Sequence, residues 1–171
     1  MMTCPPSDTV YMPQGEPAFK AWLNKHSDRT LDLMPRHVYD PAKYKLVFIG
    51  FIDRHLGVCD LHKPVAFSEH FFNKCNGYAI QKSYLDGLEP QFTYSYIYIY
   101  EFKQGKCNIY RAPFADWIAS DVPLIDEGHG EQVGYPVENM EYISTCNVIA
   151  RKKPQAKKQE DARLLEVFSR T

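Results

Sequence analysis

At 171 residues and 44% apolar composition, the chain has the length of one domain able to bury about 70% of its unfolded surface, so no disulfide framework is needed to hold it. Its longest apolar run, Leu46 to Ile52, is far short of the roughly 20 residues of a membrane-spanning helix, which argues against a membrane protein. The net charge of −1 conceals a split: residues 151–171 carry +4 and residues 1–150 carry −5, and from Ala112 to Ala150 there is no Lys or Arg at all.

Residues 1–16, with Pro5, Pro6, Pro13 and Gly15, have no period and read as a loose arm. Pro17 opens a predicted helix through His26, with Phe19, Trp22 and Leu23 on one stripe. After Pro35 and Pro41, the run from Tyr44 to Ile52 (YKLVFIGFI) is apolar enough for a central strand covered on both faces. Gly57 and Pro64 make residues 54–64 loop-like, and Val65–Cys75 reads as a helix stopped by Asn76-Gly77. A short strand is predicted over Gly77–Leu85 and a turn at Asp86-Gly87.

Every second residue from Phe92 to Phe102 (FTYSYIYIYEF) is aromatic, which predicts a strand with all six rings on one face. A turn at Lys103–Lys106 and a returning strand, Cys107–Arg111, complete a hairpin. A helical turn near Phe114–Ala119 follows, then a loop region rich in Gly and Pro, and a last strand over Tyr142–Ala150. Residues 151–171 read as a basic linker with a short amphipathic helix around Leu164, Leu165, Val167 and Phe168.

Five features carry candidate chemistry. The rings of Tyr94, Tyr96, Tyr98 and Tyr100 suit either a recognition platform or a core face under the helices. Stacking on nucleic acid is disfavoured by the acidic body, and direct contact with a phosphate backbone is left to the basic segment 151–158. Asp86 upstream of Glu101-Phe102-Lys103 resembles the acid plus Glu-x-Lys site of the restriction-endonuclease-like superfamily. That resemblance implies a Mg²⁺-dependent nuclease, with the carboxylates on the metal and the lysine on the attacked phosphate.

The stretch FKQGKCNIYRAPFAD resembles polyketide-cyclase-like members of the nuclear-transport-factor-like cone fold. This implies a pocket lined by the aromatic face, with Asp53, His55 or Asp116 for proton transfer. His55, Cys59, His62, His70 and Cys75 are zinc-type ligands in one stretch, and His55, Cys59 and His62 are the candidates if Cys59 and His62 share one helical turn. Their spacing matches no finger or ribbon, and core cysteines with loop histidines are the alternative. In 112–150, Asp116, Asp121, Asp126, Glu127 and Glu131 form an acidic run suited to a basic protein surface.

The expectation is a single α+β domain over residues 17–150. An antiparallel sheet, with strands near 44–52, 92–102, 107–111 and 142–150, is covered on one face by two or three helices including 17–26 and 65–75, and a cone-like form is the variant. The five cysteines (Cys4, Cys59, Cys75, Cys107, Cys146) are odd in number and no charged-then-apolar leader precedes them, so free thiols in the cytoplasm are expected. The favoured function is a non-catalytic interaction protein that needs no cofactor. Its acidic surface and exposed aromatics would bind a basic partner, such as a nucleic-acid-handling complex that it inhibits. The nuclease and the cone-fold binder or isomerase-like enzyme are the alternatives.

Overall fold

A computed structural model describes residues 12–13, 15–25, 30–44, 48–126 and 130–147. Helix α1 (Glu16–Lys25) is followed by β1 (Leu31–Leu33), a 3-10 turn at Pro41–Tyr44, β2 (Ile49–Asp53), β3 (Cys59–Ala66) and α2 (Glu69–Phe72). Then come β4 (Gly77–Gln81), α3 (Lys82–Phe92), β5 (Tyr96–Lys103), β6 (Lys106–Pro113) and α4 (Phe114–Ile118). The chain continues through β7 (Val122–Asp126), β8 (Gly130–Pro136), a 3-10 turn at Val137–Asn139 and β9 (Glu141–Asn147). The strands form a six-stranded sheet in the order β1-β2-β3-β5-β6-β9 and a three-stranded sheet in the order β4-β8-β7. The fold is thus mixed α and β and mostly antiparallel; β3 and β5 run parallel.

The hairpin β5–β6 is where the sequence places it, closed by Gln104 and Gly105 with φ of 48° and 78°. Two successive positive φ values match the right-handed twist of the strands it joins. Along β5 the two faces meet different partners. Tyr98 and Tyr100 share a core cluster with Phe19, Trp22 and Leu23 of α1, and with Phe51, Cys107 and Ile109. Phe19 meets Tyr100 edge-on, with centroids 4.9 Å apart, a favoured geometry for aromatic pairs. The opposite face, Ile97 and Ile99 with Leu61 and Ala112, packs on Leu85, Leu88 and Phe92 of α3, Phe114 and Trp117 of α4, and Ile80, Val133 and Tyr135 of the small sheet.

The large sheet is therefore packed on both faces, where helices on one face were expected. The predicted strand 92–102 is split: α3 runs through Phe92, and β5 starts at Tyr96. Leu85, Leu88 and Phe92 are a helical stripe, buried on the small sheet, and that burial outweighs the alternation that extends the aromatic pattern back to Phe92. Residues 82–85 and the expected Asp86-Gly87 turn lie inside the same helix.

The predicted helix 65–75 is mostly something else. Residues 59–66 are a strand because β2 and β5 flank them on either side, and only Glu69–Phe72 is helical. Pro64 stands in register with Tyr100 of β5, so the proline does not end the strand. The expected loop after Pro123 is the β7–β8 hairpin. The strand predicted at 44–52 begins at Ile49, and the one predicted at 142–150 spans Glu141–Asn147. Residues 45–47 and 148–150, nearly all of the N-terminal arm and the whole basic tail lie outside the described residues. Among the described residues, no helix is long and apolar enough to cross a membrane.

Phe19 is fully buried between Trp22, Phe51 and Tyr100. Phe19→Ala is expected to lower unfolding free energy by about 3–5 kcal/mol, the usual cost of deleting a buried ring. Urea denaturation of the two proteins checks this.

A candidate ligand cleft beside a buried glutamate

Strand register sets the site. Lys63 pairs with Ile99 and Val65 with Glu101, so the β-alternation puts Leu61, Lys63 and Val65 on the same sheet face as Ile97, Ile99 and Glu101. Helices α3 and α4 and the small sheet cover the Leu61–Ile97 end of this face. Toward Glu101 the cover changes to β4 and α2, and between them lies an open cleft of about 610 Å³. Its walls are Val65 and Ala66 of β3, Phe71 and Phe72 of α2, and Tyr78 of β4, with Lys63, Ser68, Lys74 and Gln132 as the polar groups.

Within the small sheet β4 and β8 approach closely here, since a Cβ at Gly77 would run into the Tyr135 carbonyl oxygen. Lys74 stands at the surface with its ammonium 5.2 Å from the centre of the Phe71 ring. Lys63 is different: burial pushes its ammonium below the ordinary 10.5, because a charge withdrawn from water is disfavoured.

Behind the cleft, Glu101 is 4% exposed. The Tyr78 hydroxyl donates to Oε2, and Asn108 Nδ2 donates to Oε1 at 2.8 Å. Thr145 Oγ1 in turn donates to Asn108 Oδ1 at 2.8 Å, so the Tyr142 hydroxyl, 2.6 Å from Thr145 Oγ1, is the donor of that contact. Each donation points toward the carboxylate, as a buried anion requires. Burial, followed by the hydrogen bond to Glu101, pushes the Tyr78 phenol well up, and burial with the Glu101 charge raises Tyr110. Both phenols stay protonated.

The residues singled out from sequence fare differently. Glu101 and Lys103 share a strand face, but Lys103 is exposed with its ammonium 4.1 Å from the centre of the Phe67 ring. Asp86 belongs to α3, where it pairs with Lys82 at 3.1 Å in a separate shallow depression. Among the described residues no three His, Cys, Asp or Glu side chains are placed to hold a metal ion. Cys59 and His62 lie on a strand rather than a helical turn, so they point to opposite faces. His62 stacks on Tyr98 at 4.7 Å, with Nδ1 2.9 Å from the Tyr100 hydroxyl, while His55 is exposed in a turn.

Tyr98 and Tyr100 are 5% and 3% exposed and cannot serve as exposed aromatics. Tyr96 is half-buried beneath the Arg111 guanidinium, 4.1 Å from its ring centre, and only Tyr94, off the strand, is open to solvent. Phe19 and Trp22 fill the space the tyrosines face, so the cleft is lined by other residues than the cone-fold resemblance implies. Asp53 is buried and accepts the backbone N–H groups of His55 and Leu56 at 2.9 Å, which makes it a turn-forming group.

Asp116, Asp121 and Glu131 are exposed. Glu127 and the Asp126 side chain lie outside the described residues. Sequence reasoning passed over Lys63, Tyr78, Asn108 and Thr145. The available signal was the alternation Leu61, Lys63, Val65, which Pro64 hides by suggesting a loop. No family model matches the chain, and neither the curated proteins nor the solved structures compared with it give a match.

The buried ammonium of Lys63 has a pH signature. Because its folded-state pKa lies below 10.5, the unfolded chain binds more protons in the interval between the two, and stability rises with pH across it. Lys63→Met is expected to be more stable than wild type at neutral pH, with the difference shrinking as pH approaches 10.5. Urea midpoints of both proteins across that range check the sign; a difference independent of pH would put the ammonium in water.

Proposed function

We propose that this chain binds a small, largely apolar or aromatic molecule in the cleft between β3, α2 and β4, with the ligand's polar end toward Lys63 and Tyr78. The observation that carries the reading is an open cleft of about 610 Å³ with apolar walls, to which Lys63, Ser68 and Gln132 bring a few polar groups. Concave, mostly apolar sites with a few converging polar groups and shifted protonation are the usual form of a small-molecule site. The phenol–carboxylate pair of Tyr78 and Glu101 gives the polar end a fixed orientation.

The alternative, an acidic surface for a basic partner, keeps exposed Asp116, Asp121 and Glu131 but, of its aromatic anchors, only Tyr94. The alternative of a metal nuclease has Asp86 engaged elsewhere. The cleft therefore takes precedence.

Amide NMR with benzyl alcohol, phenylacetate and cyclohexanol tests the proposal. Saturable shifts are expected at residues 65–66, 71–72 and 77–79, and Ala66→Trp, which fills the cleft mouth, is expected to abolish them. Shifts that are absent or scattered over the surface for all three fragments would sink the reading.

A further inference from the structure

We infer that Cys107 and Cys146 form a dithiol site, which a low-molecular-weight disulfide such as oxidised glutathione closes into a cross-strand bond that clamps β9 onto β6. The two residues stand directly opposite each other in the antiparallel β6–β9 ladder. Residues so placed have Cα atoms about 4.5 or 5.5 Å apart, inside the roughly 4.4–6.8 Å that a disulfide spans. Both are thiols, and both belong to the core cluster packed on α1, so they leave the sheet on the same face. The other described cysteines are placed differently: Cys59 pairs with Ile52, and Cys75 lies between α2 and β4, outside any strand.

Cys107 and Cys146 are 0% and 2% exposed, so a reagent reaches them when the ladder opens. That opening is local. Strand β9 is last in the sheet order and, among the described residues, pairs with β6 alone. A register shift between Ile109 and Tyr110 sets the pairs from Lys106–Asn147 to Ile109–Ser144 apart from the rest of the ladder. Short segments at a sheet edge open at less than the cost of global unfolding. The neighbouring pair, Asn108 and Thr145, is joined at 2.8 Å and leads on to Glu101. A bond between the cysteines therefore also fixes the residues that support the buried carboxylate.

The oxidant is the small disulfide, and the atoms balance with it. The thiolate of Cys146, on the edge strand, attacks one sulfur of the reagent; that S–S bond breaks, and a glutathione thiolate leaves with the electron pair. The thiolate of Cys107 then attacks Cys146 Sγ in the mixed disulfide, and the second glutathione leaves in the same way. The protons given up by the two cysteines end on the two departing thiols. Two protein thiols are oxidised and one small disulfide is reduced. Where thiol-reducing systems reopen such a bond, it acts as a sensor of oxidant rather than a permanent staple.

The test treats the full folded chain with oxidised glutathione, alkylates the remaining thiols in denaturant and maps peptides by mass spectrometry. Alkylation of Cys107 and Cys146 is expected to be lost together, with a peptide linking the two, and dithiothreitol is expected to restore both. The linked protein is expected to show a higher urea midpoint, because the crosslink restricts the unfolded chain, and slower amide hydrogen exchange over 106–109 and 144–147. Cys146→Ala is expected to give no linked peptide and neither gain. A parallel sample oxidised while refolding from urea exposes every thiol to the reagent. No link between Cys107 and Cys146 in either sample, or reaction that stops at glutathione adducts, overturns the site. A link formed only during refolding overturns its closure in the folded protein.

Discussion

A carboxylate removed from water must be met by donors on both oxygens or it unfolds its surroundings. At Glu101 those donors come from different sheets: Tyr78 from β4 of the small sheet and Asn108 from β6 of the large one. The two sheets are thus pinned at the point where their apolar contact ends. The cleft opens beside this pin, with Tyr78 as one of its walls. The matched carboxylate ties β4 to β5 here, and its loss would cost the site its orienting group.

Strand β5 can occupy the middle of this arrangement because its two faces are chemically different. Rings on one side fit the aromatic side chains of α1; Ile97 and Ile99 on the other fit the aliphatic layer of α3 and the small sheet. Its parallel pairing with β3 begins at a polar clamp, in which Asp60 accepts from the Tyr96 backbone N–H at 2.8 Å and Ser95 Oγ donates to the Cys59 carbonyl at 2.6 Å. A parallel pair needs a long crossover, and here the crossover is made of α2, β4 and α3. The connection demanded by topology also supplies two walls of the cleft.

Much of the candidate site was visible only in fragments. Glu101 stood out as an acid at the end of a strand, yet its partners could not be found by spacing: Tyr78 precedes it by 23 residues and belongs to another sheet. Lys63 was hidden by the proline beside it, because whether a proline ends a strand depends on what lies along its edge. The pattern from Phe92 to Phe102 misled in a specific way. Period-two alternation and a helical stripe share Phe92, and local pattern cannot choose between them when a second sheet waits to bury the helix.

Local chemistry alone was sufficient for the elements whose signals are short-range: the α1 stripe of Phe19, Trp22 and Leu23, the β5–β6 hairpin with its Gln104-Gly105 turn, the α4 turn and the last strand. These follow from periodicity and from the few residues that tolerate positive φ, which are properties of neighbouring side chains. The tertiary structure decided the rest. It made 59–66 a strand, 82–92 a helix and 122–126 and 130–136 an antiparallel strand pair, buried Tyr98 and Tyr100, and brought Lys63, Tyr78 and Glu101 to one cleft and its rear wall. Those outcomes turn on which distant surface each segment meets. The free energy of burial and of matched hydrogen bonds exceeds the small preferences written into any one segment.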